Sequence, residues 1–533
     1  MTQYQPFWWQ TGIIYQVYPR SFKDNNADGI GDLQGIHEKL GYLSWLGVDA
    51  IWLSPIYPSP MVDFGYDISD FTDIDPLFGD LAAFDHLVQE AHALGIKVIL
   101  DFVPNHSSDE HEWFKASRSS RDNPKHGWYI WRDPVPGGGP PNNWLSHFGG
   151  SAWEYDAGLG EYYMHTFHTT QPDLDWRNPL VRQAMYDVMR FWLNRGVDGF
   201  RIDVLPFLVK DENLRDNPLN PDWQEGAPYY LRIFRVYSEN QPGIHRLVQE
   251  LRQVAEEYSD RVLIGEIYLP YKELVRYYGD NLSGIHLPFN FQLILLADWR
   301  AEKIKDLVDS YEATLPVGAW PNWVLGNHDN PRVVSRLGPG QARVAQMLLL
   351  TLRGTPTFYY GDELGMHNVK IPPELAHDPQ EKSSPGFGRD PARTPMQWDS
   401  TLNAGFCSPA AIPWLPVAED YLQINVEEEK ADPASMLTLV HELIGLRKAQ
   451  PALHSGDYIA LNSGTENCFG YIRKWVNQAF LVILNFSDQP RFFNLPDEFK
   501  QGRIVLSTYL DREGPVGPVK IELRENEGLI IEV

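Results

Sequence analysis

Val98-Ile99-Leu100-Asp101 is a short apolar run that ends on a carboxylate, and three more runs do the same: Gly199-Phe200-Arg201-Ile202-Asp203, Val262-Leu263-Ile264-Gly265-Glu266 and Val324-Leu325-Gly326-Asn327-His328-Asp329. Apolar runs of this length, bounded by turn formers, read as strands covered on both faces, as in parallel sheets flanked by helices. Ionised carboxylates are costly to bury there. One of them at a strand end reads as a helix N-cap. Four of them, three in segments rich in His, Arg and Asn, read as a catalytic ring at the C-terminal edge of a (β/α)8 barrel.

Working outward, eight strand candidates precede residue 361, at 13–17, 50–53, 98–102, 199–203, 262–266, 286–291, 323–326 and 357–360. Residues 33–46 and 81–94 carry apolar positions at helical spacing, and another helix runs through 345–352 after a Gly-Pro-Gly turn. Strand and helix in alternation predict a parallel sheet. No Gly-x-Gly-x-x-Gly turn follows the first strand, so a closed TIM barrel is favoured over an open doubly wound sheet. The third unit is interrupted by residues 105–171, rich in Gly, Pro, Asn, His and Trp. A structureless loop that long is improbable in a compact domain, which predicts an inserted subdomain walling the active face. A second irregular, Pro-rich stretch covers 368–420. After a helix at 435–448 the pattern alternates, with strands at 458–461, 469–474, 479–484, 504–508 and 529–533, a C-terminal antiparallel β-sandwich. The expected organisation is a barrel in two parts, 1–104 and 172–453, an inserted subdomain at 105–171 and a β-sandwich at 454–533.

The chain has 45 Lys and Arg against 71 Asp and Glu, a formal net charge of -26. Such a balance repels nucleic-acid phosphates and anionic membranes and fits a small neutral substrate. Two cysteines, Cys407 and Cys468, imply no disulfide framework and favour a reducing compartment, although one bridge stays open. The amino terminus lacks the basic and apolar regions of a signal peptide, and no run of about 18 apolar residues occurs. A cytoplasmic protein is expected, its oligomeric state undetermined. Aromatic residues in polar loops, such as Trp128, Trp131 and Trp144, could stack on sugar rings, but most are expected to pack the core.

The motifs resemble those of the α-amylase superfamily of retaining glycoside hydrolases, in its oligo-1,6-glucosidase and α-glucosidase branch. The likeness is carried, almost end to end, by Asp101-Phe102-Val103-Pro104-Asn105-His106, Gly199 to Asp203, Gly265-Glu266 and Asn327-His328-Asp329. Two further stretches, Gln171-Pro172-Asp173-Leu174-Asp175-Trp176 and Ala392-Arg393-Thr394-Pro395-Met396-Gln397-Trp398, are similar to segments of the exo-acting branch and argue against an endo-amylase. Cleaving an acetal with retention needs one ionised carboxylate and one protonated carboxyl about 5–5.5 Å apart. The resemblance implies Asp203 as nucleophile, Glu266 as acid/base and Asp329 as the third carboxylate, holding ring hydroxyls. Arg201, two residues before Asp203 on the same face of the strand, would keep it ionised. Glu266 ends an apolar strand, so its pKa is expected to be raised. The same resemblance implies that His106 and His328 donate to sugar hydroxyls, that Tyr66 lies under the ring, and that Asp63 and Arg393 close the pocket around one terminal glucose.

A separate loop, Asp24-Asn25-Asn26-Ala27-Asp28-Gly29-Ile30-Gly31-Asp32, resembles the start of a calcium loop: Asp24, Asn26, Asp28 and Asp32 offer side-chain oxygens and Ile30 its carbonyl. The closing Glu of an EF-hand is absent, since Gly35 stands at that position. A structural Ca²⁺, or Mg²⁺, is expected; the alternative is an Asx-rich turn. His106 and His111 lack the His-Glu-x-x-His pattern of a zinc hydrolase. The expected activity is an exo-acting α-glucosidase that removes terminal glucose from short oligosaccharides. Val204, after the nucleophile, leans towards α-1,6 bonds, a preference that one side chain carries weakly. The alternatives are a transglycosylating or isomerising relative such as a trehalose synthase, a sucrose-acting glucosidase, and an inactive binding subunit, which would be expected to have lost a carboxylate.

Overall fold

The computed structural model describes residues 6–461, 464–517 and 519–533; residues 1–5, part of the amino-terminal reading, lie outside them. Eight parallel strands are present: β1 (Ile14–Val17), β2 (Ala50–Leu53), β3 (Lys97–Phe102), β4 (Gly199–Ile202), β5 (Val262–Gly265), β6 (Leu287–Pro288), β7 (Asn322–Val324) and β8 (Thr355–Tyr359). They pair in the order β7-β8-β1-β2-β3-β4-β5-β6. A single parallel bridge, Asn290 to Trp323, brings the end of β6 against β7 and nearly closes the barrel.

Side-chain parity on these strands decides what reaches the interior. Ile14, Ala50, Trp52, Ile99, Val262, Ile264, Leu287 and Val324 pack on one another, while their neighbours Tyr15, Ile51, Leu100, Phe200, Ile202 and Leu263 join the larger core shared with the helices. A strand that turns Ile99 inward also turns Asp101 inward. The same step of two carries Gly199 to Arg201 and Asp203, and Ile264 to Glu266. The ladder continues past the strand ends to hold these residues: Asp203 N–H donates to Phe102 O at 2.8 Å and Glu266 N–H to Ile202 O at 3.0 Å. Gly199 is required at its inward position, because a Cβ there would lie 2.3 Å from the Val262 carbonyl oxygen.

Helices fill the gaps between strands, started by side-chain caps. Asp80 accepts from Ala83 N–H ahead of Leu81–Ala93, and Asn178 caps Pro179–Asn194, which has Pro at its first position. The helix expected at 33–46 is broken in two, Leu33–Glu38 and Leu40–Leu46. Lys39 leaves helical geometry at φ -99°, ψ 2°, and its ammonium rests over the Trp398 ring, 4.3 Å from the centroid. The strand expected at 286–291 shrinks to two residues, because Pro288 has no N–H to extend the ladder.

Residues 105–171 have structure of their own: a helix, Glu112–Ser119, and a three-stranded antiparallel sheet of Trp131–Arg132, Glu161–Met164 and Trp153–Asp156. Ile130, Trp144, Ala152, Trp153 and Met164 form its small core. Bridges from His106 to Asp173 and Tyr129 to Leu174 tie it to the barrel. The C-terminal part has a six-stranded antiparallel sheet facing a two-stranded one, Arg491–Asn494 with Lys520–Leu523. Leu481, Ile483, Phe493, Leu523, Leu529 and Ile531 pack between them. The two short strands escaped the sequence reading. The stretch 368–420 holds only short helical turns, and Cys407 and Cys468 are both buried free thiols. No helix among the described residues is long and apolar enough to cross a membrane.

Candidate active site

One guanidinium organises the cavity floor. Arg201 Nη1 donates to Asp101 Oδ1 at 2.7 Å and to Asp203 Oδ1 at 2.6 Å, and its Nη2 lies 2.8 Å from Glu266 Oε2. All four residues are nearly dry; Asp203 is 5% exposed and Glu266 4%. Asp101 is committed to structure, since Trp52 Nε1 and Tyr66 Oη donate to its other oxygen at 3.2 and 3.0 Å. Asp203 and Glu266 instead line the cavity. Glu266 Oε2 also accepts from Val204 N–H at 2.8 Å, whereas Oε1 meets no donor among the described residues. Val204 aims that N–H from φ 39°, ψ 42°, a left-handed conformation that a β-branched residue rarely adopts and that costs about 1–3 kcal/mol.

Burial pushes the Asp203 and Glu266 carboxyls up, and Arg201 opposes it in both. Three carboxylates around one cation leave excess negative charge in a dry site, which favours one retained proton shared by the pair. Asp329 differs. Burial would raise it too, but the guanidiniums of Arg389, Arg393 and Arg201 hold it below the usual carboxylate range. The site therefore sets an ionised Asp329 beside a carboxyl pair that retains one proton, so a proton donor and a carboxylate are both at hand for general acid/base chemistry.

His328 is buried and its pKa is pushed down by that burial, so it is neutral. Gln16 Nε2 donates to its Nδ1 at 2.8 Å, which puts the proton on Nε2, 2.8 Å from Tyr66 Oη. Tyr66 stacks on the His328 ring at 5.4 Å. His106, also pushed down by burial, has Nε2 3.1 Å from Tyr66 O. Both histidines, Tyr66 and Asp63 line the cavity with Asp203, Glu266 and Asp329. The stretch 171–176 locks the inserted subdomain to this wall: Asp173 pairs with Lys210 at 2.6 Å, and Trp176 Nε1 donates to Pro104 O at 2.7 Å.

The closure at Asp63 departs from the sequence reading. Asp63 Oδ1 accepts from Arg389 Nη2 at 2.7 Å, and Arg389 Nη1 reaches Asp329 Oδ1 at 3.3 Å. Arg393 lies behind this layer, 1% exposed, with Nη2 donating to Asp329 Oδ1 at 3.1 Å and Nε to His328 O at 2.8 Å. The expectation that Arg393 faces the pocket with Asp63 is thus corrected: Arg389 lines the cavity, and Arg393 props Asp329 from the rear. Arg389 sits in a Pro-rich stretch without periodicity, and its only sequence signal is its place four residues before Arg393. Sequence reading also missed Phe207, Tyr230, Arg235, Glu239 and Tyr268, which continue the wall beyond Asp203 and Glu266. The whole cavity measures about 360 Å³, within the range of small-ligand sites.

The loop 24–32 folds on itself. Asp24 accepts from Ala27 and Gly29 N–H at 2.7 and 2.8 Å, Asp28 from Ile30 N–H at 2.8 Å, and Asp32 from Asn25 and Gly35 N–H at 3.0 and 2.7 Å. Among the described residues no three His, Cys, Asp or Glu side chains converge as metal ligands. The loop's donor set, which adds Asn26 and the Ile30 carbonyl, is all oxygen and suits a hard cation. The two Asp24 oxygens each keep a lone pair beyond their N–H contact, whereas Asp32 Oδ2 accepts from both Asn25 and Asn26 N–H, at 3.0 and 3.2 Å.

The family model for the alpha amylase catalytic domain matches residues 16–456. An oligo-1,6-glucosidase of Parageobacillus thermoglucosidasius is 41% identical over 544 residues, covering 94% of this chain and 95% of the relative. A probable alpha-glucosidase of Rhizobium meliloti (strain 1021) is 40% identical over 526 residues, 95% of each. Among solved structures, an alpha-glucosyl transfer enzyme superposes with a TM-score of 0.93 at 39% identity, covering 99% of this chain and 100% of that one. An isomaltulose synthase from Klebsiella sp. LX3 superposes with a TM-score of 0.90 at 36% identity, covering 99% of each.

Proposed function

We propose a reaction for this chain from the premise that it belongs to the alpha-amylase family of glycoside hydrolases. It is an α-glucosidase acting on a small sugar substrate. Asp203 attacks the anomeric carbon of a terminal α-linked glucose while Glu266 gives its proton to the departing oxygen. Water, deprotonated by Glu266, then releases the sugar from Asp203 with net retention. The observation that carries this reading is the pair of carboxyls on the two terminal nitrogens of Arg201. That spacing suits direct attack better than the wider gap an intervening water needs.

Asp329, fixed by Arg389 and Arg393, accepts hydrogen bonds from ring hydroxyls. His106 and His328 present ring nitrogens to them, and Tyr66 underlies the ring. Asp63 and Arg389 shut the far end, so a single glucose is admitted and the attack is exo. The Val204 side chain, next to the nucleophile and lining the cavity, supports a leaning towards α-1,6 bonds. A second reading, glucosyl transfer or isomerisation, draws support from the likeness to a transfer enzyme and an isomaltulose synthase. The free thiols and acidic composition support a cytoplasmic location. In loop 24–32, Asp24, Asn26, Asp28, Asp32 and the Ile30 carbonyl would hold Ca²⁺ or Mg²⁺ in a structural role.

Time-resolved chromatography of products from maltose, isomaltose, sucrose and trehalose, with NMR of the anomer first released, tests the reading. Free α-glucose from the earliest points is expected. β-Glucose first, or internal fragments accumulating early from starch, would overturn it.

A further inference from the structure

The wall beyond the carboxyl pair is built by the segment between β4 and the helix Ile244–Glu256, and two charged residues on it belong to none of the motifs. Arg235 is held in place before any ligand arrives. Its guanidinium packs against the Phe207 ring at 5.2 Å and the Tyr230 ring at 5.1 Å, and its Nη1 meets His147 Nε2 from the inserted subdomain. Glu239 stands four residues on. Its side chain is only 14% exposed, and the nearest cation, Arg235 Nε, is 3.7 Å from Oε2, too far for a hydrogen bond.

Glu239 Oε1 and Oε2 accept no hydrogen bond among the described residues. A mostly buried carboxylate is costly unless donors meet it. Glu239 borders the cavity, and so does Arg235. The missing donors are therefore those of whatever occupies this end of the cavity. An apolar leaving group offers none. A second sugar ring offers adjacent hydroxyls, one to donate to Glu239 and one to accept from Arg235.

We propose that Arg235 and Glu239 are the specificity-determining pair for the leaving group, selecting a polyhydroxy alcohol such as a second sugar over an apolar alcohol. The inference rests on the α-glucosidase reading above. By microscopic reversibility the same pair selects the acceptor in transfer. An acceptor hydroxyl attacks the anomeric carbon of glucosyl-Asp203, its proton passes to Glu266, and the Asp203 carboxylate departs.

The test compares kcat/KM for isomaltose and for 4-nitrophenyl α-glucoside in the wild type, Glu239→Ala, Glu239→Gln and Arg235→Gln, with melting temperatures for each. Both substrates place glucose against the same carboxyls and differ in the leaving group. Glu239→Ala and Arg235→Gln should lose on the order of 10- to 100-fold on isomaltose, the worth of a hydrogen bond to a charged group. The aryl glucoside should change by less than about 3-fold, Glu239→Gln should recover part of the loss, and transfer products at high isomaltose should fall relative to free glucose. Equal losses on both substrates would mean that the pair only shapes the wall, and no loss on either would mean that it touches nothing; each overturns the proposal. Should Arg235→Gln unfold, the Glu239 variants decide alone. A wild-type protein that cleaves neither glucoside sinks the α-glucosidase reading itself, a distinct failure.

Discussion

Glu266 meets its two donors through one oxygen and leaves the other free, so its proton has an open place to sit. A proton must be on Glu266 for the first step, and rate should therefore fall as pH rises through its raised pKa; the acidic limb should follow ionisation of Asp203. Glu266→Gln should cut turnover of oligosaccharides by about 10³-fold or more, lose the basic limb of the pH profile, and spare an activated aryl glucoside, which needs little protonation. A basic limb that survives in this variant would assign the acid elsewhere. Arg389→Ala should raise KM for terminal glucosides on the order of 10-fold by opening the end at Asp63. Steady-state kinetics beside Arg393→Ala separates the two: Arg393, fully buried against Asp329 and the His328 carbonyl, should act more on kcat and melting temperature. Asp101, Asp203 and Glu266 were legible because strand parity places them without help from the rest of the chain, and Asp329, beyond the end of β7, through its Asn-His-Asp motif. Arg389 was not, because its position depends on Asp63, 326 residues away in sequence. Arg235 and Glu239 likewise owe their place to a loop whose path is set by His147 and Phe207.

At the level of elements, long periodic helices and apolar strands were readable, whereas boundaries set by contacts were not. The break at Lys39 needs Trp398, and the strands 491–494 and 520–523 are too short and too exposed at Phe492 to announce themselves. The junction of the helices Val426–Ala431 and Met436–Ala449 carries a pH dependence. Glu429 Oε2 accepts from Leu437 N–H at 2.9 Å, yet burial, with Glu363 nearby, raises its pKa to about 8. Its ordinary value is about 4.5. Between these limits the folded chain holds a proton that the unfolded chain releases, so this contribution is complete below pH 4.5 and is lost as pH rises through 8. Glu429→Gln should raise the melting temperature at pH 8 and flatten its decline from pH 5, as read by calorimetry; an unchanged slope would acquit this residue. The loop 24–32 yields a second thermal test. Chelation should lower the melting temperature without altering the anomer produced, because a cation there would brace the first barrel loop. An unaltered melting curve after exhaustive metal removal would leave an Asx turn.

Across the whole molecule arginines bolt the barrel to the β-sandwich. Arg473 Nη1 of the sandwich donates to Thr351 O of the barrel at 2.5 Å, and Arg343 Nε of the barrel donates to Thr508 O of the sandwich at 2.8 Å. The barrel itself is less evenly fastened. β6 meets β5 through only Leu287 and Pro288, and it meets β7 through the Asn290–Trp323 bridge alone. A ring with one weak stitch breathes at that stitch. Amides at 287–291 should exchange hydrogen for deuterium sooner than those of β1 to β4. Glu266 follows β5 and Asp329 follows β7, so the stitch lies between the acid and the group that grips the sugar. A glucose held by both would act as a splint across the gap, and its binding should slow exchange there more than anywhere else in the barrel.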